Sequence, residues 1–273
     1  MVLDWPLRED KRLREMHCDY WDDQFLVSVV DSVPASHPSS DWCGVTITGN
    51  LKLRYDLACP GDGLIAGADG ITIDLNGHTI SGSDTGAGIA VTGRRSLTIR
   101  GGAIRNFAAG LRVADSTDLA VKDVEFAENT DGVDLQQGSY RNTIRENAFR
   151  DNRSRGVMLR SDTVVRENTF TGNRVGVLLF GAVDTSVVDN VVSDSVLAGI
   201  RVNVLATGNL VRGNHVSSNP AGIEFLITPT GSAIGNTISA NTIATNVCGI
   251  KGPVEGNRIQ TNLFVENASD SCP

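Results

Sequence analysis

The sequence predicts an all-β fold, a single-stranded right-handed parallel β-helix of about nine to ten coils over residues 43–273, behind a short helical cap over residues 1–42. Three observations predict it. A glycine followed by an aliphatic residue recurs at Gly88, Gly110, Gly132, Gly156, Gly176, Gly199, Gly222 and Gly249, at intervals of 20 to 27 residues. Asparagines recur between those marks, one series at Asn147, Asn168, Asn190, Asn214, Asn241 and Asn257, another at Asn129, Asn152, Asn173, Asn219, Asn246 and Asn262. The intervening segments, such as "GVDL" and "NTIRENAF", alternate as short strands do and lack both a helical period and the Leu-x-x-Leu-x-Leu core of leucine-rich repeats.

The first 42 residues differ from the rest. They hold all three tryptophans, Trp5, Trp21 and Trp42, and place Leu13, Met16, Trp21, Phe25 and Leu26 at amphipathic-helix spacing. A solenoid exposes its core and its strand edges at each end, so this segment is expected as an N-terminal cap. The alternative is a lid or subunit contact laid sideways over the glycine-marked strands, and a homodimer is one form of that alternative. The segment lacks an apolar signal-peptide core, which by itself points to the cytoplasm. No run of 18 apolar residues occurs, so a membrane partner is not expected.

Within the coils, asparagine is expected at the corners, where it tolerates left-handed backbone and can bond to the coil above or below. The net charge is −8, which argues against a nucleic-acid partner bound through a broad basic surface. Five cysteines (Cys18, Cys43, Cys59, Cys248 and Cys272) form no CxxC pair, and no metal-ligand spacing is present, so no metal or cofactor is expected. Cys43 with Cys59 and Cys248 with Cys272 would suit end-stapling disulfides in an exported protein; buried thiols are the expectation in a cytoplasmic one.

Residues 43–82, "CGVTITGNLKLRYDLACPGDGLIAGADGITIDLNGHTISG", resemble the opening coils of the pectin-lyase-like β-helix superfamily, closest to the parallel β-helix repeat proteins. That group includes copper-site maturation proteins and carbohydrate-active enzymes. The resemblance extends over about residues 43–267, implies the fold, and implies a saccharide-like substrate only as a tendency, because one architecture carries many functions. Residues 128–138, "ENTDGVDLQQG", also resemble the first motif of polygalacturonases. The Asp-Asp, Gly-His-Gly and Arg-x-Lys motifs that should follow are missing. Inverting hydrolysis needs two carboxyls about 6.5–9.5 Å apart, which a lone Asp131 cannot supply. "NTDG" is therefore read as a coil corner, with Asn129 and Gly132 at repeat positions.

If the aliphatics after each glycine point inward, alternate residues point out and stack into columns. One column is Ala90, Arg112, Asp134, Met158, Leu178, Arg201, Glu224 and Lys251; a second, two residues on, holds Gln136, Arg160, Phe180, Asn203 and Leu226. Met158, Leu178, Phe180 and Leu226 read as an exposed apolar patch, of the kind that meets a loop, a subunit or a ligand. Asp134 between Arg112 and Arg160 reads as a general base whose neighbours could neutralise a substrate carboxylate or enolate. Catalysis is assigned to Asp134, Arg160 and Arg112, and binding to Gln136, Met158, Leu178, Phe180, Arg201, Asn203 and Glu224.

The expected activity is proton-transfer chemistry of lyase, epimerase or isomerase type on a carbohydrate or small carbonyl-bearing molecule, a small biosynthetic intermediate being preferred to a polymer. A non-catalytic glycan- or protein-binding scaffold is the alternative. A further outward row, Arg100, Lys122, Arg145, Arg166 and Arg212, reads as a solvated face balanced by Asp123, Glu146 and Glu167. His78 and His215 are assigned to turns, with an Asp74–His78 dyad as a lesser candidate.

Overall fold

The structure is a computed structural model that describes residues 42–226, 231 and 233–273. Every paired strand in it is parallel, and each pairs with the strand one coil away. The glycine-marked strands form an 11-stranded sheet running from Val45–Ile47 to Ser269–Cys272. The other strands make two further walls; Thr98–Arg105 and Ala120–Ala127 each bend through both. The result is a parallel β-solenoid of about 10 turns, with no α-helix among the described residues. The expected helical cap over residues 1–42 lies outside the described residues apart from Trp42, which packs against the core.

The core is one continuous column of side chains. Ile89, Leu111, Val133, Val157, Val177, Ile200 and Ile223 are each 0% exposed. Beside them Phe126, Phe149 and Phe170 stack, with ring centroids 5.2 and 4.5 Å apart. The glycine row is explained by these neighbours. A Cβ at Gly132 would stand 2.4 Å from the carbonyl oxygen of Gly156 and 2.8 Å from the Phe149 ring. Glycine is needed there because backbone and ring leave no space.

The asparagines do not carry the left-handed backbone assigned to them. The positive φ falls one residue earlier, at Glu146 (57°), Glu167 (57°) and Asp189 (55°), while Asn147, Asn168 and Asn190 follow in the fully buried position. Their role lies in the amide. Asn168 Nδ2 donates to Ile144 O at 2.9 Å, and its Oδ1 accepts from the backbone of Asn147 at 3.0 Å. Each corner thereby satisfies a backbone donor and a backbone acceptor that the core would otherwise strand.

Two series members also change places. Asn262 continues the ladder of Asn147, through Asn241 at 2.9 Å. Asn267 continues that of Asn129, through Asn246 at 3.1 Å, and Asn257 belongs to a third ladder with Asn209 and Asn236. The coil between Gly222 and Gly249 is longer than its neighbours, so a count by period slips by one corner there.

Cys43–Cys59 and Cys248–Cys272 are both disulfides, which corrects the expectation of buried thiols and matches the end-stapling alternative. The first closes the opening turn of the solenoid, and the second joins two neighbouring coils at its other end.

Candidate functional site

Strand pairing fixes the outward column residue by residue. Ala90 pairs with Arg112, Arg112 with Asp134, Asp134 with Met158, Met158 with Leu178, Leu178 with Arg201, Arg201 with Glu224, and Glu224 with Lys251. The column reads cation, anion, two apolar residues, cation, anion, cation. Each step is one coil, about 4.8 Å.

Asp134 lies on the outer face, with Val133 inside at 0% exposure, yet it is itself only 9% exposed. Its Oδ2 accepts from Gln136 Nε2 at 3.0 Å. Its Oδ1 is buried and has no hydrogen-bond partner. In native proteins a buried polar atom left unpaired is uncommon, and it usually marks strain or function.

Arg112 is the in-register neighbour of Asp134 on one side, as expected. On the other side that place belongs to Met158, and Arg160 is turned elsewhere. Arg160 Nη1 donates to Phe180 O at 3.1 Å, and its guanidinium lies 4.6 Å from the centroid of the Phe180 ring. The second basic group near Asp134 is Arg155, which the sequence reading did not select. Its Nε donates to Asp131 Oδ1 at 2.7 Å and its Nη2 to Asp131 Oδ2 at 2.5 Å, a two-pronged carboxylate contact. Asp131 is consequently a buried, ion-paired residue as well as the end of a corner. Burial of the Arg155 guanidinium opposes its charge most strongly, but the Asp131 hydrogen bonds and the charges of Asp131 and Asp134 outweigh burial and hold its pKa above the usual value.

The apolar patch is also different from its expected form. Met158 and Leu178 face outward but are each 8% exposed, because they pack with Val175 and with Leu197 into a small separate cluster. Leu197 comes from a corner one residue longer than most, so a loop residue covers them. Of the four patch residues Phe180 alone stays open, at 38%, while Leu226 is half-buried.

Further along, Glu224 is clamped. Arg201 Nη2 and Nε reach its Oε2 at 2.6 and 2.7 Å, and Lys251 Nζ reaches Oε1 at 3.2 Å. Asn203 ends its strand by accepting from the backbone of Val204 at 2.8 Å, a turn contact.

Outside this face, Arg100, Lys122, Arg145, Arg166 and Arg212 align in register with Val188 interrupting. Arg145 pairs with Glu146, Arg166 with Glu167, and Arg100 with Asp74, so Asp74 takes the balancing role assigned to Asp123. His78 then pairs with Asp56, Nδ1 to Oδ1 at 3.1 Å, in place of the Asp74 partner considered from sequence.

These features define a right-handed parallel β-helix of the pectin-lyase-like kind with a charged outer column. The chain belongs to the NosD family, described as periplasmic copper-binding protein (NosD), whose pattern matches residues 43–236 and 160–271. No curated protein matches it.

Among solved structures it is similar to the alginate lyase of Paenibacillus sp., with TM-score 0.58 and 14% identity over 82% of this chain and 91% of that one. It is also similar to the A-module of the mannuronan C-5 epimerase AlgE4 of Azotobacter vinelandii, with TM-score 0.59 and 15% identity over 84% and 76%. A tailspike protein of an E. coli bacteriophage, in complex with a pentasaccharide, has TM-score 0.62 and 12% identity over 83% of this chain and 52% of that one. At these identities the likeness concerns the fold.

The family description names copper, so the available donors can be tested. Copper sites draw on thiolate, thioether and imidazole. The four described cysteines are bound in disulfides, His78 is engaged with Asp56, Met158 is packed in the outer cluster, and His215 stands exposed on another wall. Among the described residues no three of His, Cys, Asp or Glu gather closely enough to hold an ion. The described donors do not fit a copper site; Met16, His17, Cys18 and His37 lie outside the described residues.

Proposed function

We propose that the glycine-marked face binds an acidic polysaccharide and cleaves it by β-elimination, with Asp134 as the group that moves the proton. The observation that carries this reading is the unpartnered Oδ1 of a carboxylate that is 9% exposed and has arginines on the coils to either side. In a uronate unit, the hydrogen on the carbon bearing the carboxylate is acidified by that group. The Asp134 carboxylate removes it, the C–H electrons form a double bond to the adjacent carbon, and the glycosidic C–O bond there breaks.

The proton held by Asp134 then passes to the departing oxygen, so one residue serves as base and acid when hydrogen and leaving group lie on the same side of the ring. Arg112 and Arg155 oppose the charge that develops on the uronate carboxylate. Gln136 fixes the orientation of Asp134 through Oδ2, and Arg155 occupies both oxygens of Asp131.

A chain suits the face better than the small intermediate preferred from sequence, since the column continues in register from Arg112 to Lys251. The fold shared with an alginate lyase and a pentasaccharide-bound tailspike supports a saccharide. Two disulfides support maturation in an oxidising compartment, against the cytoplasm read from the sequence.

A second reading, a non-catalytic glycan-binding β-helix, is favoured by one observation: Arg155 and Arg160 are already committed to Asp131 and Phe180, as in a preformed recognition surface. Incubation with alginate and with polygalacturonate, followed by the ultraviolet absorbance of unsaturated uronate ends, separates the two. The wild type is expected to generate the absorbance, and Asp134→Asn to lose at least about a hundredfold in rate with its melting temperature retained. Binding of either polymer without product supports the second reading, and equal rates in wild type and variant remove Asp134 from the chemistry.

A further inference from the structure

The same column contains a second charged station that the reaction above does not use. Glu224 is 7% exposed at its side chain, with Arg201 on one oxygen and Lys251 on the other, so the trio carries one net positive charge. A carboxylate this buried needs its partners, and with both oxygens occupied it acts as a brace that fixes two cations. Lys251 is the outer member, 49% exposed. Its ammonium has three donors, of which Glu224 takes one.

Arg112 and Arg201 stand four coils apart on the column, about 19 Å. Between them lie Asp134 and then the apolar pair Met158 and Leu178. This arrangement places a positive station at each end of an apolar stretch, along a line parallel to the solenoid axis. A chain of linked pyranose rings advances by about one coil height per ring. Its rings can cross this stretch over Leu197, which covers the pair, while its carboxylates meet the cations.

We propose that Arg201 and Lys251, braced by Glu224, form a second carboxylate-binding subsite, so that the face takes an acidic oligosaccharide laid along the axis and long enough to span both stations. The proposal rests on the reading of the face as a uronate site and adds a length requirement to it. Short acidic oligosaccharides engage only the Arg112–Asp134–Arg155 end. Longer ones gain the distal contacts.

The test uses the full chain carrying Asp134→Asn, so that binding is measured without turnover, and oligoguluronates, oligomannuronates and oligogalacturonates of three and six sugars as probes in calorimetry. The six-sugar chain of the preferred type is expected to bind about tenfold more tightly than the three-sugar chain, a difference of about 1.4 kcal/mol. Adding Lys251→Gln should remove most of that gain and leave three-sugar binding unchanged, and Lys251→Arg should restore it.

Equal affinity for both lengths, a Lys251→Gln effect equal for both, or no binding of any of these probes would overturn the subsite. The elimination assay fails separately. Length-dependent binding without unsaturated product in the wild type removes the chemistry and leaves the subsite, whereas product without length dependence removes only the subsite.

Discussion

Arg155 grips the carboxylate of Asp131 from the neighbouring coil through two hydrogen bonds, at 2.7 and 2.5 Å. The contact is made on the outer face, three residues before Asp134 on the same strand, and the Arg155 charge also acts on Asp134. Removing Arg155 leaves the buried Asp131 carboxylate without its partner. Arg155→Met is therefore expected to lower stability by about 3 kcal/mol, with the Asp131→Asn, Arg155→Met double variant recovering part of the loss. Urea unfolding of the two single variants and the double variant checks it.

The asparagine ladders should be most sensitive in the middle. Asn190 donates to Val165 O, Val188 O and Asn214 Oδ1, and accepts from the backbone of Asn168 at 3.0 Å. Asn190→Ala strands a buried N–H and carbonyl, for which about 2–3 kcal/mol is expected. Asn267→Ala, at the half-buried end of its ladder, should cost clearly less when the two are compared by thermal unfolding.

The glycine row and the outward column were legible because inner packing dictates both. A glycine recurs wherever backbone meets the inner side chains, and the residue two after it must point away from the core. Arg155 and Asp131 were not legible for a related reason. Strict alternation back from Val133 sends Asp131 inward, but a Cβ at Gly132 would itself point inward, toward Phe149, so the alternation breaks there and Asp131 turns out. The burial of Met158 and Leu178 was hidden because Leu197 reaches them from a corner of irregular length, which a period cannot foresee. The slip of Asn257 and Asn262 has the same origin in the long coil before Gly249.

Acid should release the Asp118 clasp only below the usual carboxylate range. Asp118 is held at a pKa of about 2, below 3.8, chiefly by its hydrogen bonds from Arg141 and next by that from Thr117. A carboxylate whose folded pKa is depressed contributes stability that is present above 3.8 and is lost as the pH falls toward about 2. Carboxyl NMR titration should find the Asp118 midpoint near that lower value, and Arg141→Ala should move it back toward 3.8.

Disulfides at both ends predict a thiol count. Denatured protein should gain four reactive thiols on reduction. Cys248→Ser with Cys272→Ser should lower stability by about 3 kcal/mol, since the bridge closes a loop of 24 residues. Ellman titration with and without reductant, and unfolding of the double variant, check both.

The most direct measurement of the central claim is a crystal structure of the Asp134→Asn protein with an acidic hexasaccharide. The account predicts sugar rings running along the column past Leu197, which covers Met158 and Leu178, with a uronate carboxylate against Arg112 or Arg155 and the hydrogen-bearing carbon next to it facing position 134. A saccharide bound on another wall, or lying across the coils away from position 134, would contradict it.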